Sequence, residues 1–164
     1  SDGPDEDFGK LRFTLLGALA CARSSVRIAT PYFLPETEIE TSLRVAALRG
    51  VDVRILVPEK NDLPVVQWAS TAGLAPLLES GCRVFRSPPP LDHSKLTAVD
   101  DAWTLFGSAN WDPRSPVLNF EFNVECYDPV LATEVAEGFD RRLSASREFR
   151  NFRDRALRLF SPYL

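Results

Sequence analysis

His93 and Lys95 stand two residues apart, and Ser108 and Asn110, further along the chain, repeat that spacing. On an extended strand, residues i and i+2 project from the same face. An imidazole and an ammonium placed on one strand would therefore point side by side, and a returning hairpin would bring the hydroxyl and the amide to the same place. Such a set suits a phosphodiester. The ammonium neutralises the non-bridging oxygens, the amide hydrogen-bonds to them, and the imidazole supplies a nucleophile or a proton. His93 is the sole histidine of the chain, so chemistry that needs two histidines must borrow the second.

The elements that must position these residues can be read from periodicity and punctuation. Residues 8–23 carry apolar side chains at helical spacing, and 26–33 (VRIATPYF) reads as a buried strand ending at Pro31–Pro35. A helix follows over 36–49, closed by Gly50, and 51–58 (VDVRILVP) suits an inner parallel strand. Residues 60–64 read as a loop, 65–80 as a helix closed by Gly81, and 82–86 as a short strand. The stiff run Ser87-Pro88-Pro89-Pro90 then leads to His93. This rhythm predicts an α/β fold with a mixed, mostly parallel sheet flanked by helices on both faces. After His93 the rhythm changes. Strands over 95–99 and 103–106 form a hairpin around Asp100-Asp101, a loop spans 107–118, and a strand covers 119–127. A helix over 129–146 and a second helical segment over 148–160 end the chain. There is no internal repeat, and a single domain over 1–164 is the simplest reading.

The chain has a formal net charge of -4 and a pI near 5.1, which argues against nucleic acid as a partner. No run of 18 apolar residues offers a transmembrane helix, and the acidic start is not a signal peptide. Cys21, Cys82 and Cys126 are odd in number and widely spaced. They form neither a metal pattern nor a disulfide framework and read as buried small hydrophobes. No methionine is present, and residues 1–7 (SDGPDED) look like a flexible linker. The expectation is a segment that begins inside a longer product.

The pattern H-x-K-x-x-x-x-D at His93, Lys95 and Asp100, followed by G-S-x-N at Gly107, Ser108 and Asn110, resembles the signature of the phospholipase D superfamily. The stretches 30–36 (TPYFLPE), 50–62 (GVDVRILVPEKND) and 110–128 are similar to the C-terminal catalytic half of bacterial cardiolipin synthases, and so is the opening of the chain. The resemblance implies a phospholipase D-like sandwich in which two such motifs meet across a pseudo-two-fold axis. One histidine attacks phosphorus to give a phosphohistidine and the other protonates the leaving alcohol, without metal or other cofactor. Carried onto this chain, His93 is the nucleophile or the acid. Lys95, Ser108 and Asn110 hold the phosphate. Asp100 belongs to the motif but lies in the turn, where its role should be structural. Glu121 sits where the family places a carboxylate behind the histidine. Phosphatidylglycerol is the implied donor and acceptor. The implied partners are a second motif-bearing half, in the same protein or a homodimer mate, and a membrane surface. The implied location is the cytoplasmic face of a bacterial membrane, reached through segments outside this chain.

Each of these residues also has a plainer reading. A histidine on a strand is often a partly buried side chain, but the spacing to Lys95, Ser108 and Asn110 outweighs that here. Glu121 has the alternative of a solvated strand position, and Tyr32 that of packing. Trp68, Trp103 and Trp111 read first as core, although Trp111 lies inside the motif loop and is a candidate substrate contact, as is Tyr32. Arg114, with Ser115, would bind a headgroup phosphate or pair with a carboxylate. The arginines over 141–158 read as a solvated helix face, with an interfacial helix as the alternative. Two other functions compete with lipid transfer: a phosphodiesterase or nuclease acting as a homodimer, and a non-catalytic half that serves as a scaffold.

Overall fold

A computed structural model describes residues 9–60, 73–112 and 121–149. Its elements run in the order α1 (Lys10–Cys21), β1 (Ser25–Ala29), α2 (Thr37–Leu48), β2 (Asp52–Pro58), α3 (Ala75–Glu79) and β3 (Arg83–Ser87). Then come β4 (Leu96–Val99), β5 (Trp103–Gly107), β6 (Asn123–Cys126), α4 (Pro129–Ser144) and β7 (Arg147–Phe149). The strands form one seven-stranded sheet in the order β6-β5-β4-β1-β2-β3-β7.

The α/β reading and the mixed sheet hold, but the sheet is not mostly parallel: its parallel part is confined to β1-β2-β3. The other four of the six pairings are antiparallel. Connection length explains the split. A helical crossover lets the chain return in the same direction, whereas the tight turn after β4 reverses it.

The two faces of the central strands are covered by different elements. Val26, Ile28, Val53, Ile55 and Val84 are buried in a cluster with Leu15 and Leu19 of α1, Ile39 and Leu43 of α2, and Leu77 of α3. Ala29, Leu56 and Phe85 pack instead on Phe139 of α4. Helix α4 buries a stripe of Ala132, Ala136 and Phe139, at the spacing that keeps one face inward. Its N-terminus is capped by Asp128, whose carboxylate accepts from the amides of Val130 and Leu131 at 2.8 and 3.2 Å. Asp140, one residue past Phe139, accepts from Arg27 at 3.3 Å and Arg54 at 3.4 Å, which fastens the helix across β1 and β2. Gly50, with φ of 91°, closes α2 in a conformation that favours glycine.

Two further expectations change. The helix expected over 148–160 does not include its first two residues: Arg147–Phe149 pairs antiparallel with Val84–Arg86. The apolar Phe149 packs on the core and Arg86 lies 4.5 Å over its ring, so edge pairing wins over the helical period of that stretch. Cys21 is exposed rather than buried, and only Cys82 is fully buried. Burial pushes the Cys82 thiol up to about 12, with Arg44 opposing it. Residues 65–72 and 150–160 of the two expected helices, residues 119–120 of the strand expected over 119–127, and Trp68 lie outside the described residues.

Candidate active site

The hairpin β4–β5 carries the site. Its turn residues Asp100 and Asp101 both have positive φ, 54° and 49°. That conformation is disfavoured for side chains bearing a Cβ, but aspartate tolerates it best after glycine and asparagine. The Asp100 carboxylate accepts from the amides of Arg23, Ser24 and Ser25 at 2.7, 2.8 and 2.8 Å, and from the Ser24 hydroxyl at 2.9 Å. Burial works to raise its pKa. The amides of Ser25, Ser24 and Arg23 and the Ser24 hydroxyl outweigh it and hold the carboxyl below its ordinary value. Lys95 precedes β4 and Asp100 follows it, so at the rise of a strand they lie about 16 Å apart. Asp100 is scaffold: it ties the hairpin to the start of β1.

His93 and Lys95 lie just before β4, not on it, because the strand begins at Leu96. The ladder reaches one residue back, where the Gly107 amide donates to the Lys95 carbonyl at 3.3 Å. The two side chains nonetheless converge as their spacing predicts. Lys95 Nζ lies 2.6 Å from His93 Nδ1 and 3.3 Å from Nε2. The Tyr32 ring stands edge-on to the imidazole at 6.1 Å and 84°. His93 is exposed and Lys95 half-buried. Burial lowers the pKa of Lys95, and the charges of Glu121 and Asp92 oppose that shift.

Gly107 ends β5 where the backbone of β6 approaches most closely. A Cβ built on it would fall on the Phe122 carbonyl and lie 2.7 Å from Cα of Asn123. Only glycine lets the two strands meet here. Ser108 follows. Its amide donates to the Phe122 carbonyl at 3.0 Å, its hydroxyl donates to the Glu121 carboxylate, and the Phe122 amide donates back to that hydroxyl at 2.9 Å. Glu121 is buried, with 5% of its surface exposed. Its charge favours the charged form of Lys95, against the burial that disfavours it.

Asn110 has its side-chain oxygen buried. It lines a narrow crevice beneath Lys95, shared with Gly107, Trp111 and Asn123. Trp111 sits in the core, stacked on Phe33 at 5.9 Å, and its carbonyl accepts from the Leu34 amide at 2.6 Å. That contact joins the loop after β1, which carries Tyr32, to the motif loop. On the opposite side of Lys95 a groove of about 710 Å³ opens between the hairpin and α4, lined by Ser94, Phe106, Leu131, Phe139 and Arg142. The structure therefore brings together His93, Lys95, Ser108, Asn110, Glu121 and Tyr32, and places Trp111 behind them. Arg114 and Ser115 lie outside the described residues.

Sequence reading passed over Asp92 and Ser94, which flank His93. The Asp92 carboxylate accepts from the Ser94 amide at 2.9 Å and the Ser94 hydroxyl at 2.6 Å, and from Arg142 of α4 at 2.8 Å. The D-x-S pattern is a legible turn signal, whereas Arg142 is distant in sequence and carries none.

Among the described residues, no three His, Cys, Asp or Glu side chains cluster so as to hold a metal ion. No described helix is long and apolar enough to cross a membrane. The chain is 39% identical over its whole length to "Cardiolipin synthase 2" of Staphylococcus epidermidis, and covers 36% of that protein. It is 35% identical to "Cardiolipin synthase 1" of Bacillus cereus, again over all of this chain and 34% of the relative. It thus spans about a third of the curated relatives that it matches. Among solved structures it is similar to Nuc from Salmonella typhimurium, described as a phospholipase D family member. The TM-score is 0.77 at 27% identity, over 92% of this chain and 97% of that one. Residues 15–143, which hold the whole His93–Asn110 motif, match the family described as "Cardiolipin synthase, PLD-like domain", and the chain belongs to that phospholipase D-like family.

Proposed function

We propose that this chain is one half of a phosphatidyl-transfer site of the cardiolipin synthase kind. The observation that carries the reading is the convergence of the sole imidazole, His93, on Lys95 at 2.6 Å, in an exposed position backed by the Ser108–Glu121 pair. The ammonium is set to take a non-bridging phosphate oxygen, with Asn110 beside it. The imidazole is free to attack phosphorus or to protonate a leaving alkoxide. Glu121 supports the imidazolium electrostatically.

With phosphatidylglycerol as donor, a histidine nitrogen displaces glycerol from phosphorus. One P–O bond breaks, one P–N bond forms, and the glycerol oxygen takes a proton from the second histidine. A second phosphatidylglycerol hydroxyl then displaces the histidine, giving cardiolipin and returning its proton. Because one phosphodiester replaces another, a covalent intermediate lets one alcohol leave before the next arrives. His93 fills one of the two histidine roles. The other belongs to a second motif-bearing half, in the same polypeptide or in a second copy, and the site works at a membrane surface.

The test is to incubate the chain with phosphatidylglycerol in mixed micelles without added metal and to assay cardiolipin, phosphatidic acid and glycerol. Cardiolipin with glycerol supports lipid transfer by two copies of this half. Phosphatidic acid with glycerol keeps the chemistry but makes water the acceptor. If the chain, alone and combined with a second motif-bearing half, leaves the lipid intact yet cleaves single-stranded DNA, the lipid reading is wrong. Acid quenching with phosphorus-labelled lipid then shows whether the label rides on His93.

A further inference from the structure

The backbone that carries His93 has little regular structure to hold it. β3 ends at Ser87, three prolines follow, and β4 begins only at Leu96. An exposed imidazole on such a segment would sample many orientations unless something fixed its peptide. Asp92 and Ser94 form a tight turn around His93: one Asp92 oxygen takes both the amide and the hydroxyl of Ser94. The other Asp92 oxygen takes Arg142 Nη1 at 2.8 Å, and the same nitrogen reaches the Ser94 hydroxyl at 3.3 Å.

Arg142 is in the last turn of α4, three residues after Phe139 and two after Asp140. Phe139 packs on the sheet, and Asp140 holds Arg27 and Arg54. An unbroken mechanical path thus runs from the sheet through α4 and Arg142 to the turn bearing His93. The pairing is half-exposed, with side-chain exposures of 44% and 31%. A pair this exposed adds little stability as an ion pair.

We infer that Arg142 is a positioning residue for His93, acting through the Asp92–Ser94 turn and touching neither substrate nor reacting atoms. This rests on the reading that His93 is the reacting group.

Because His93 is the only histidine, its imidazole nitrogens give unambiguous signals in two-bond proton–nitrogen NMR of the full chain. Arg141→Ala is the control. Arg141 shares the last turn of α4, is 73% exposed and makes only a 3.9 Å contact with Glu137. Arg142→Ala is expected to redistribute the His93 tautomers or broaden their signals relative to that control, and Arg142→Lys to restore most of the wild-type pattern. In the active form of the protein, Arg142→Ala should lower kcat by about 10- to 100-fold, with KM within about twofold. A His93 spectrum in Arg142→Ala identical to that of Arg141→Ala overturns the inference. So does a changed spectrum accompanied by an unchanged kcat. If no variant and no wild-type form transfers phosphatidyl groups, the proposed reaction has failed, and the spectrum alone decides the role of Arg142.

Discussion

The ammonium of Lys95 sits 2.6 Å from Nδ1 of His93 and 2.9 Å from the carbonyl of the same residue. A charged ammonium has only protons to give, so in this arrangement Nδ1 accepts and the imidazole proton belongs on Nε2. In the proposed reaction an incoming phosphate would compete for the ammonium. Drawing Lys95 toward a non-bridging oxygen would free Nδ1, so that substrate binding and histidine activation would share one contact. His93→Ala should cut turnover by at least about 10³-fold. It should leave the circular dichroism spectrum and melting temperature unchanged, since the side chain is exposed.

Lys95 has its pKa lowered by burial, against the opposing charges of Glu121 and Asp92. The proposed reaction needs it protonated, so activity should be present below that pKa and fall as pH rises through it, on an alkaline limb that begins below the ordinary lysine value of 10.5. Glu121→Gln removes a charge that raises the pKa, so the limb should move further down in pH. A profile of kcat/KM for wild type and variant measures the shift. An unmoved limb would assign it to another group.

Asp100 contributes stability through the hydrogen bonds its ionised carboxylate accepts from residues 23–25. Its pKa is lowered on folding. The contribution is therefore complete above the unfolded-state value of about 3.9 and is lost as pH falls through the lower folded value. Asp100→Ala should destabilise the domain by roughly 2 kcal/mol at pH 7. The difference from wild type should shrink in strong acid, as urea unfolding at the two pH values would show.

Gly107→Ala places a methyl against the Phe122 carbonyl and Asn123. Overpacking against backbone costs about 1–3 kcal/mol, and the separation of β5 from β6 would also carry Ser108 away from Glu121. The variant should melt lower and lose activity together. An activity loss at an unchanged melting temperature would mean that the loop, not the strand contact, is what glycine serves.

The sequence by itself determined the convergent candidate set and the order of the described elements as far as α4. Two-residue spacing put His93 beside Lys95 whatever the exact strand boundary, and the alternation in VDVRILVP identified an inner strand because pleat and burial act locally. The Asp100-Asp101 turn and the glycine closing α2 are likewise local matters of backbone conformation. What lies outside that reach depends on partners distant along the chain. Whether residues 147–149 form a helix or pair with β3 turns on a sheet edge that no window of sequence displays. The turn around His93 could be read from Asp92 and Ser94, but its anchor could not. Arg142 meets Asp92 only because α4 docks across the sheet through Phe139 and Asp140, and it is that docking, a property of the folded whole, that decides where the imidazole stands.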